Sequence, residues 1–399
     1  MAENDSESPL IYKNIESIDD IDVDIIPEKK GLFIKHVEYV VTSKRFSSQV
    51  FRRYNDFVAF YELLLCRFPY RLIPKLPPKK VVGVFPSDSN FLENRRKGLC
   101  RWLTLMARHP VVSQDTLLSY FLTQNVPDLQ SKIKDVFKNI PDEFTTSHLA
   151  SRSKDLVPPN NSTEFALSRA QIKFILAGVL KIKEIADHIA LRSHGYSTDM
   201  DVLGSVLNEL GTEYGGISNW GTGGNNHWKE LRKGLGLVSK EFTLLSKTAQ
   251  EQARKEEDEV CERLSYLLDV LSGHSELCER VERGVSYEHQ NALSKMLTLK
   301  KRQIQGVLRG SDAESVATLE NRMLEQESVI ESVELRTAFS LYCVRMETQL
   351  VHTYLETLVH VLNSLVTVQI NSHTELARVW NVIFPIVNVC LSPNRKDKM

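Results

Sequence analysis

Phe51-Arg52-Arg53-Tyr54-Asn55-Asp56-Phe57 is the stretch on which the reading of this chain turns. Consecutive side chains on a strand face opposite ways, so Arg52 and Arg53 are expected to point apart. Upstream, Ile21, Val23 and Ile25 alternate with Asp22 and Asp24, the pattern of a half-buried strand. Leu32 to Thr42 is rich in strand formers, and Gln49 to Tyr54 makes a third short strand. Downstream, Asn55 to Phe68 has helical spacing, with Phe57, Phe60, Leu64 and Leu65 on one side. Pro69 to Pro86 is too proline-rich for a regular helix. Helical pattern resumes over Phe91 to Arg108 and Val112 to Leu122. Three strands followed by helices predict a small α+β domain with a three-stranded antiparallel sheet over residues 20–126.

Prolines at 127, 141, 158 and 159 mark a linker, 127–160; the next proline is Pro385. A proline-free run of that length, rich in Leu, Glu, Lys and Gln, predicts long helices. The first is expected from Asn161 to about Leu210, before a Gly/Asn-rich break at 215–226. The second runs from about His227 to Leu308, and the third from Ser311, with Glu314 completing a capping box, to about Phe384. The second and third would each span roughly 100–120 Å at the usual helical rise. Val316, Leu319, Met323, Ile330 and Val333 begin a coiled-coil-like seam, with polar slots at Gln326, Thr337 and Thr348. Between Leu350 and Ile370 nearly every turn is apolar on more than one side, so that segment needs several neighbours, and a dimer is expected. Gly234, Gly236, Gly273, Gly284 and Gly306 are candidate kinks. The layout is thus an acidic disordered tail (1–19), the α+β domain, the linker, a long three-helix antiparallel bundle (161–390) and a polar tail (391–399).

The net charge of −1 hides a strong asymmetry. Residues 1–28 carry nine acidic side chains and one basic; residues 29–127 carry seventeen Lys/Arg against six Asp/Glu. A compact basic module seeks phosphate. The six cysteines form no C-x-x-C pair and have no histidines at metal-ligand spacing, which reads as buried, reduced thiols in a cytosolic protein. The polar, acidic start has no signal-peptide pattern, and no apolar run approaches the ~20 residues of a spanning helix. Zinc-protease, serine-hydrolase and phosphate-loop motifs are absent from the sequence. The expectation is a non-enzymatic protein with no cofactor or metal, no transmembrane span and no nucleic-acid partner.

The chemistry sits in three pieces: Arg52-Arg53-Tyr54-Asn55-Asp56-Phe57, then Leu76-Pro77-Pro78-Lys79-Lys80, then Phe91-Leu92-Glu93-Asn94-Arg95. An arginine at a strand end can grip a phosphate bidentately. A lysine on a stiff proline turn is held at low entropic cost. In this order the pieces resemble the PX domain, with its R-R/K-Y-x-x-F signature, P-P-x-K turn and later arginine. The resemblance implies that Arg53 binds the 3-phosphate of a phosphoinositide and that Tyr54 supports the inositol ring. It implies that Lys79, or its neighbour Lys80, takes the 1-phosphate, and that Arg95, or Arg96, reaches the ring hydroxyls. Val81, Val82 and Phe85 follow the basic turn and would either dip into the bilayer or cap the domain core. Leu129, Ile133, Val136, Phe137 and Ile140 share a helical face that would either wedge into a leaflet or pack on a neighbouring domain.

Residues from about 161 to 390 resemble the BAR domain of PX-BAR sorting nexins, with Glu334-Leu335-Arg336, Phe339 to Cys343 and Glu347 to His352 carrying the likeness to the sorting nexin-8 branch. That implies a peripheral membrane protein on early endosomes. It would bind phosphatidylinositol 3-phosphate, dimerise, sense or induce curvature and support endosome-to-Golgi retrograde transport. Other sorting nexins or coat proteins are possible partners. Lys300, Lys301 and Arg302, with Lys295 and Arg309, would form a basic membrane-contacting tip. The alternative is a cytoskeletal or signalling scaffold that uses the first domain only as an address.

Overall fold

The computed structural model describes residues 15–26, 37–79, 88–158, 161–212, 226–308 and 313–390. Val81, Val82 and Phe85, along with Lys80, the glycine-rich stretch 215–224 and Arg309, lie outside the described residues. The chain divides into two compact bodies: Met1–Leu176 with Asp269–Tyr354, and Ala177–Leu268 with Leu355–Met399.

The first body opens with strands β1 (Ile21–Ile25), β2 (Glu38–Ser43) and β3 (Ser48–Arg53), paired antiparallel in that order. Val23 faces Val41, and Val41 faces Val50, so the period-two alternation sends these three inward. Asp22 and Asp24 are exposed. Helix α1 (Tyr54–Arg67) leaves β3 without a loop. The corner is fixed by Asp56, whose carboxylate accepts the Arg53 backbone N–H at 2.7 Å. Helix α2 (Ser89–Arg108) starts where Asp88 accepts the N–H groups of Asn90 and Phe91. The segment expected as one helix over 112–122 is instead a short 3-10 turn, Val112–Gln114, followed by α3 (Thr116–Thr123). Asp115 has extended backbone and caps α3 through the Leu117 N–H, which separates the two. Phe57, Phe60, Trp102 and Phe121 fill the core, with Phe60 stacked on Phe121 at 4.3 Å.

Helix α4 (Leu129–Val136) packs on α1: Leu129 and Ile133 are buried, Lys134 pairs with Glu62 at 2.7 Å, and Phe137 meets Tyr120 edge-on. Its apolar face is thus packed at Leu129 and Ile133 and exposed at Val136. The short helix α5 (Glu143–Thr146) follows.

The long helices are α6 (Asn161–Gly211), α7 (Asn226–Lys255), α8 (Glu262–Leu308) and α9 (Ala313–Cys390). Only a single π turn, Glu256–Cys261, separates α7 from α8. None of the five candidate glycines breaks the helix; each lies inside α7 or α8. The interruption sits where Glu256 is buried. Its Oε1 accepts from Nε2 of Gln252 at 2.9 Å and of Gln369 at 2.5 Å. A polar core pair, rather than backbone freedom, therefore marks the break. Helix α9 continues past Pro385 instead of stopping at Phe384, because Ile386 still packs on the Val379–Ile383 cluster.

In the first body α8 and α9 run antiparallel, and two of the polar slots are bonded across them: Thr348 to His274 at 2.9 Å and Gln326 to the Ala292 carbonyl at 3.1 Å. Burial pushes His274 down to about 4, so it sits neutral in this seam. In the second body α6 and α7 cross on small residues: Ser239 donates to the Gly204 carbonyl and Ser197 to the Ser246 carbonyl. Val238, Leu245, Val379 and Ile383 form its core. Of the cysteines, Cys261, Cys278 and Cys343 are buried, and burial raises the first two thiols to about 12 and about 11. Cys66, contrary to the expectation of buried thiols, is exposed.

Candidate functional site

Strand alternation separates the two arginines of the opening motif. Arg52 points inward, 1% exposed, where its Nε donates to the Phe121 carbonyl at 2.9 Å and an Nη donates to that of Gln124 at 2.7 Å. Its guanidinium also lies over the Phe121 ring. Burial pushes its pKa down to about 10, partly offset by Asp56. Arg52 ties β3 to the end of α3 and is a core residue.

Arg53, one residue on, is on the outer face. Its side chain is half exposed, and its Nε lies 3.2 Å from Glu38 Oε1 across the β2–β3 pair. It lines a hollow of about 390 Å³ with Glu38, Asn55 and Gln130 among its walls.

Tyr54, Lys79 and Arg95 are brought together by three different elements. Tyr54 opens α1, and its hydroxyl donates to the Pro77 carbonyl at 2.5 Å. Lys79 follows Pro77 and Pro78, its Nζ 2.8 Å from Asn55 Oδ1. Arg95 comes from the second turn of α2, lies over the rings of Phe91 and Tyr54 at 4.8 and 5.4 Å, and donates to the Lys79 carbonyl at 3.3 Å. Asn55, which holds Lys79, also lines the Arg53 hollow, whereas Arg95 lines a second hollow with Pro77, Pro78 and Phe91. Arg95 is buried beside the Tyr39 hydroxyl, whose pKa burial raises and the Arg95 charge lowers, and neither that hydroxyl nor the Arg95 Nε makes a hydrogen bond of good geometry among the described residues. A buried cation held by aromatic faces with a donor left over fits a polar, oxygen-rich ligand. Burial raises the Tyr54 pKa, opposed by the Arg95 charge, which keeps the ring neutral against that cation.

Of the alternatives left open by sequence, Arg96 faces elsewhere: it donates to the Val23 carbonyl and pairs with Glu93. Lys80 lies outside the described residues. Asn55, Phe91 and Glu38 belong to the site and were not singled out. The first two stand inside the quoted motifs, and Phe91 precedes Arg95 by the four residues that stack side chains on a helix. Glu38 meets Arg53 only through strand register, which the sequence does not print. Lys300, Lys301 and Arg302 are all exposed on α8. Among the described residues there is no cluster that could hold a metal ion, and no helix is long and apolar enough to cross a membrane.

This architecture is that of a PX domain joined to a BAR domain. The PX family model matches residues 40–125, and the model described as "Sorting nexin 8/Mvp1 BAR domain" matches residues 138–384. Sorting nexin-8 of Mus musculus is 45% identical over 367 residues, covering 92% of this chain and 79% of that protein. Sorting nexin-8 of Homo sapiens is 42% identical over 367 residues, with 92% and 78% covered. Sorting nexin mvp1 of Aspergillus fumigatus is 30% identical over 344 residues, with 83% and 45% covered. Among solved structures, "The cryo-EM structure of the SNX-BAR Mvp1 tetramer" superposes with a TM-score of 0.60 at 20% identity, over 91% of this chain and 99% of that one. The chain belongs to the PX-BAR sorting nexins, in the sorting nexin 8/Mvp1 branch. Its work is membrane-associated trafficking as an adaptor rather than an enzyme.

Proposed function

We propose that this sorting nexin binds phosphatidylinositol 3-phosphate on early endosomes through Arg53, Tyr54, Lys79 and Arg95. In this reading Arg53 grips the 3-phosphate, Tyr54 walls the inositol ring, Lys79 takes the 1-phosphate and Arg95 reaches the ring hydroxyls. The observation that carries it is the convergence of Tyr54, Lys79 and the buried Arg95, with Arg53 linked to Lys79 through Asn55. Val81, Val82 and Phe85 follow Lys79 in sequence and would enter the bilayer beside the headgroup.

The long helices would dimerise, and the dimer would add avidity and a preference for curved membrane in endosome-to-Golgi retrograde transport. Support comes from α9, where Val359, Leu362, Val366 and Ile370 are all exposed in the single chain, although Val361 and Val368 between them are buried. Such a face asks for a partner. Lys300, Lys301 and Arg302 would meet anionic lipid, each contributing about 1 kcal/mol near the surface.

Sedimentation with vesicles tests the lipid assignment. Arg53→Ala is expected to abolish binding to vesicles carrying phosphatidylinositol 3-phosphate while the fold survives. The control is Lys44→Ala, which removes one exposed positive charge from the same domain. Equal binding by the two variants would refute the assignment. Arg52→Ala is no control, since it removes core hydrogen bonds.

A further inference from the structure

The segment from Phe68 to Lys79 has no strand or helix of its own, so its backbone carbonyls must find partners elsewhere. The Phe68 carbonyl accepts the Arg71 N–H, and side chains supply partners for several of the others. The Lys79, Pro77 and Pro74 carbonyls accept from Arg95, Tyr54 and Trp102 of the PX domain. The Pro69 and Arg71 carbonyls accept from one side chain on α8, Arg280, through Nε and an Nη, both at 2.8 Å. The same face of α8 touches the segment twice more. Lys75 pairs with Glu276 at 2.8 Å. Gly273 lets the helix approach so closely that a Cβ there would lie 3.1 Å from both Leu72 Cδ2 and Pro74 Cγ. From α9, Glu347 takes the Arg71 side chain at 3.1 Å. One stiff strap is thus held on one side by the PX domain and on the other by the BAR helices, and at its end stands Lys79, with its carbonyl on Arg95.

We infer that α8 sets the geometry of the phosphoinositide site through this strap, with Arg280 as a positioning residue for Lys79. The inference rests on the lipid reading above and deepens it: headgroup affinity becomes a property of the docked PX-BAR unit. Arg280 touches no part of the headgroup site itself. It fixes the start of the strap, and proline stiffness carries that constraint toward Lys79.

The test uses the full chain and a water-soluble, short-chain phosphatidylinositol 3-phosphate, so that curvature and avidity play no part. Arg280→Met keeps the apolar stem and removes both donors. It is expected to weaken binding roughly three- to tenfold with helicity and solution mass unchanged. Gly273→Ala, which pushes on the strap from the same side, is expected to do likewise and carries the test if Arg280→Met does not fold. Ser153→Ala is the control: it cuts a bond to the Leu335 carbonyl of α9 and touches no strap residue, so affinity should hold. The decisive measurement is the double-mutant cycle with Lys79→Ala. If Arg280 acts through Lys79, its substitution in that background should change affinity by less than about twofold. Full affinity in Arg280→Met or in the folded Gly273→Ala, or the same loss with and without Lys79, overturns the inference. A wild-type chain that ignores the soluble lipid, or an Arg53→Ala chain that still binds it, sinks the lipid reading and this one with it.

Discussion

Where the PX domain meets α8 and α9 the seam is charged and sealed, whereas the second body, apart from the buried Glu256 with its two glutamines, is held by small residues and apolar side chains. At the seam Glu347 is buried and receives the Arg71 guanidinium on one oxygen and His109 Nε2 on the other, at 3.1 and 3.0 Å. His109 Nδ1 accepts the N–H groups of Val111 and Val112, so the ring presents its proton from Nε2. Arg71 is shared with Glu143 at 2.6 Å, and Arg336 pairs with Asp142. Tyr70 and Phe144 pack edge-on against Phe339. In the second body, Gly204 and Gly211 let α6 approach α7, and Phe242 meets Trp380 edge-on. A buried ion network accepts one partner geometry, because a misplaced charge stays desolvated and unpaired. An apolar face accepts any partner that covers its area, which suits the proposed pairing with a second copy.

The largest effect is expected at Glu347. Glu347→Ala leaves Arg71 with one carboxylate and His109 with none, and should cost about 3–5 kcal/mol in urea unfolding. Burial pushes this carboxyl up, but His109 and Arg71 outweigh it and hold it down at about 2. The folded state then binds fewer protons here than the unfolded chain, whose glutamates titrate near ~4.3. The contribution is therefore complete above about pH 5 and is lost as pH falls toward 2. Unfolding curves of wild type and Glu347→Gln should differ most at neutral pH and converge in acid. A gap independent of pH would show that the charge of Glu347 is not what holds the seam.

The second body should break differently. Val366→Glu with Ile370→Glu places charges on the exposed α9 face and should shift a dimer to a monomer of 45.6 kDa in light scattering. The seam residues belong to the other body, so Glu347→Gln should leave the dimer intact. A wild-type mass equal to the monomer at micromolar concentration would end the dimer proposal.

What could be read in advance followed from local pattern. The alternation of Ile21 and Val23 with aspartates, the opposed faces of Arg52 and Arg53, and the proline-free run from 160 to 384 are consequences of backbone period, and they set the sheet, the outward arginine of the candidate site and the long helices. What could not be read depends on distant partners. Glu347 sits among seam positions as an acid, and nothing nearby in sequence says that Arg71, 276 residues away, will neutralise it. Glu256, where the π turn at 256–261 begins, is bonded by Gln369, 113 residues on. Arg280 looks like any exposed helix arginine until the carbonyls of the strap are counted.

The smallest effect sharpens the same comparison within one helix. Gly195 and Gly211 both lie in α6 and in the second body. Around Gly195 a Cβ would meet nothing within 4 Å; at Gly211 it would meet the Gly236 backbone nitrogen at 3.0 Å and the Arg232 carbonyl at 3.2 Å. A glycine inside a helix costs about 1 kcal/mol relative to alanine through unfolded-chain entropy. Gly195→Ala should therefore raise stability by about that amount. At Gly211 the same entropic gain competes with a clash against backbone, which cannot rotate away as a side chain would, and overpacking of this kind costs about 1–3 kcal/mol. Gly211→Ala should accordingly come out neutral to destabilising by about 2 kcal/mol, and thermal unfolding of the two variants should move in opposite directions or, at the least, separate. If both rise together, α6 and α7 can part by the few tenths of an ångström that the extra methyl needs, and the crossing is held by its apolar core rather than by close backbone approach.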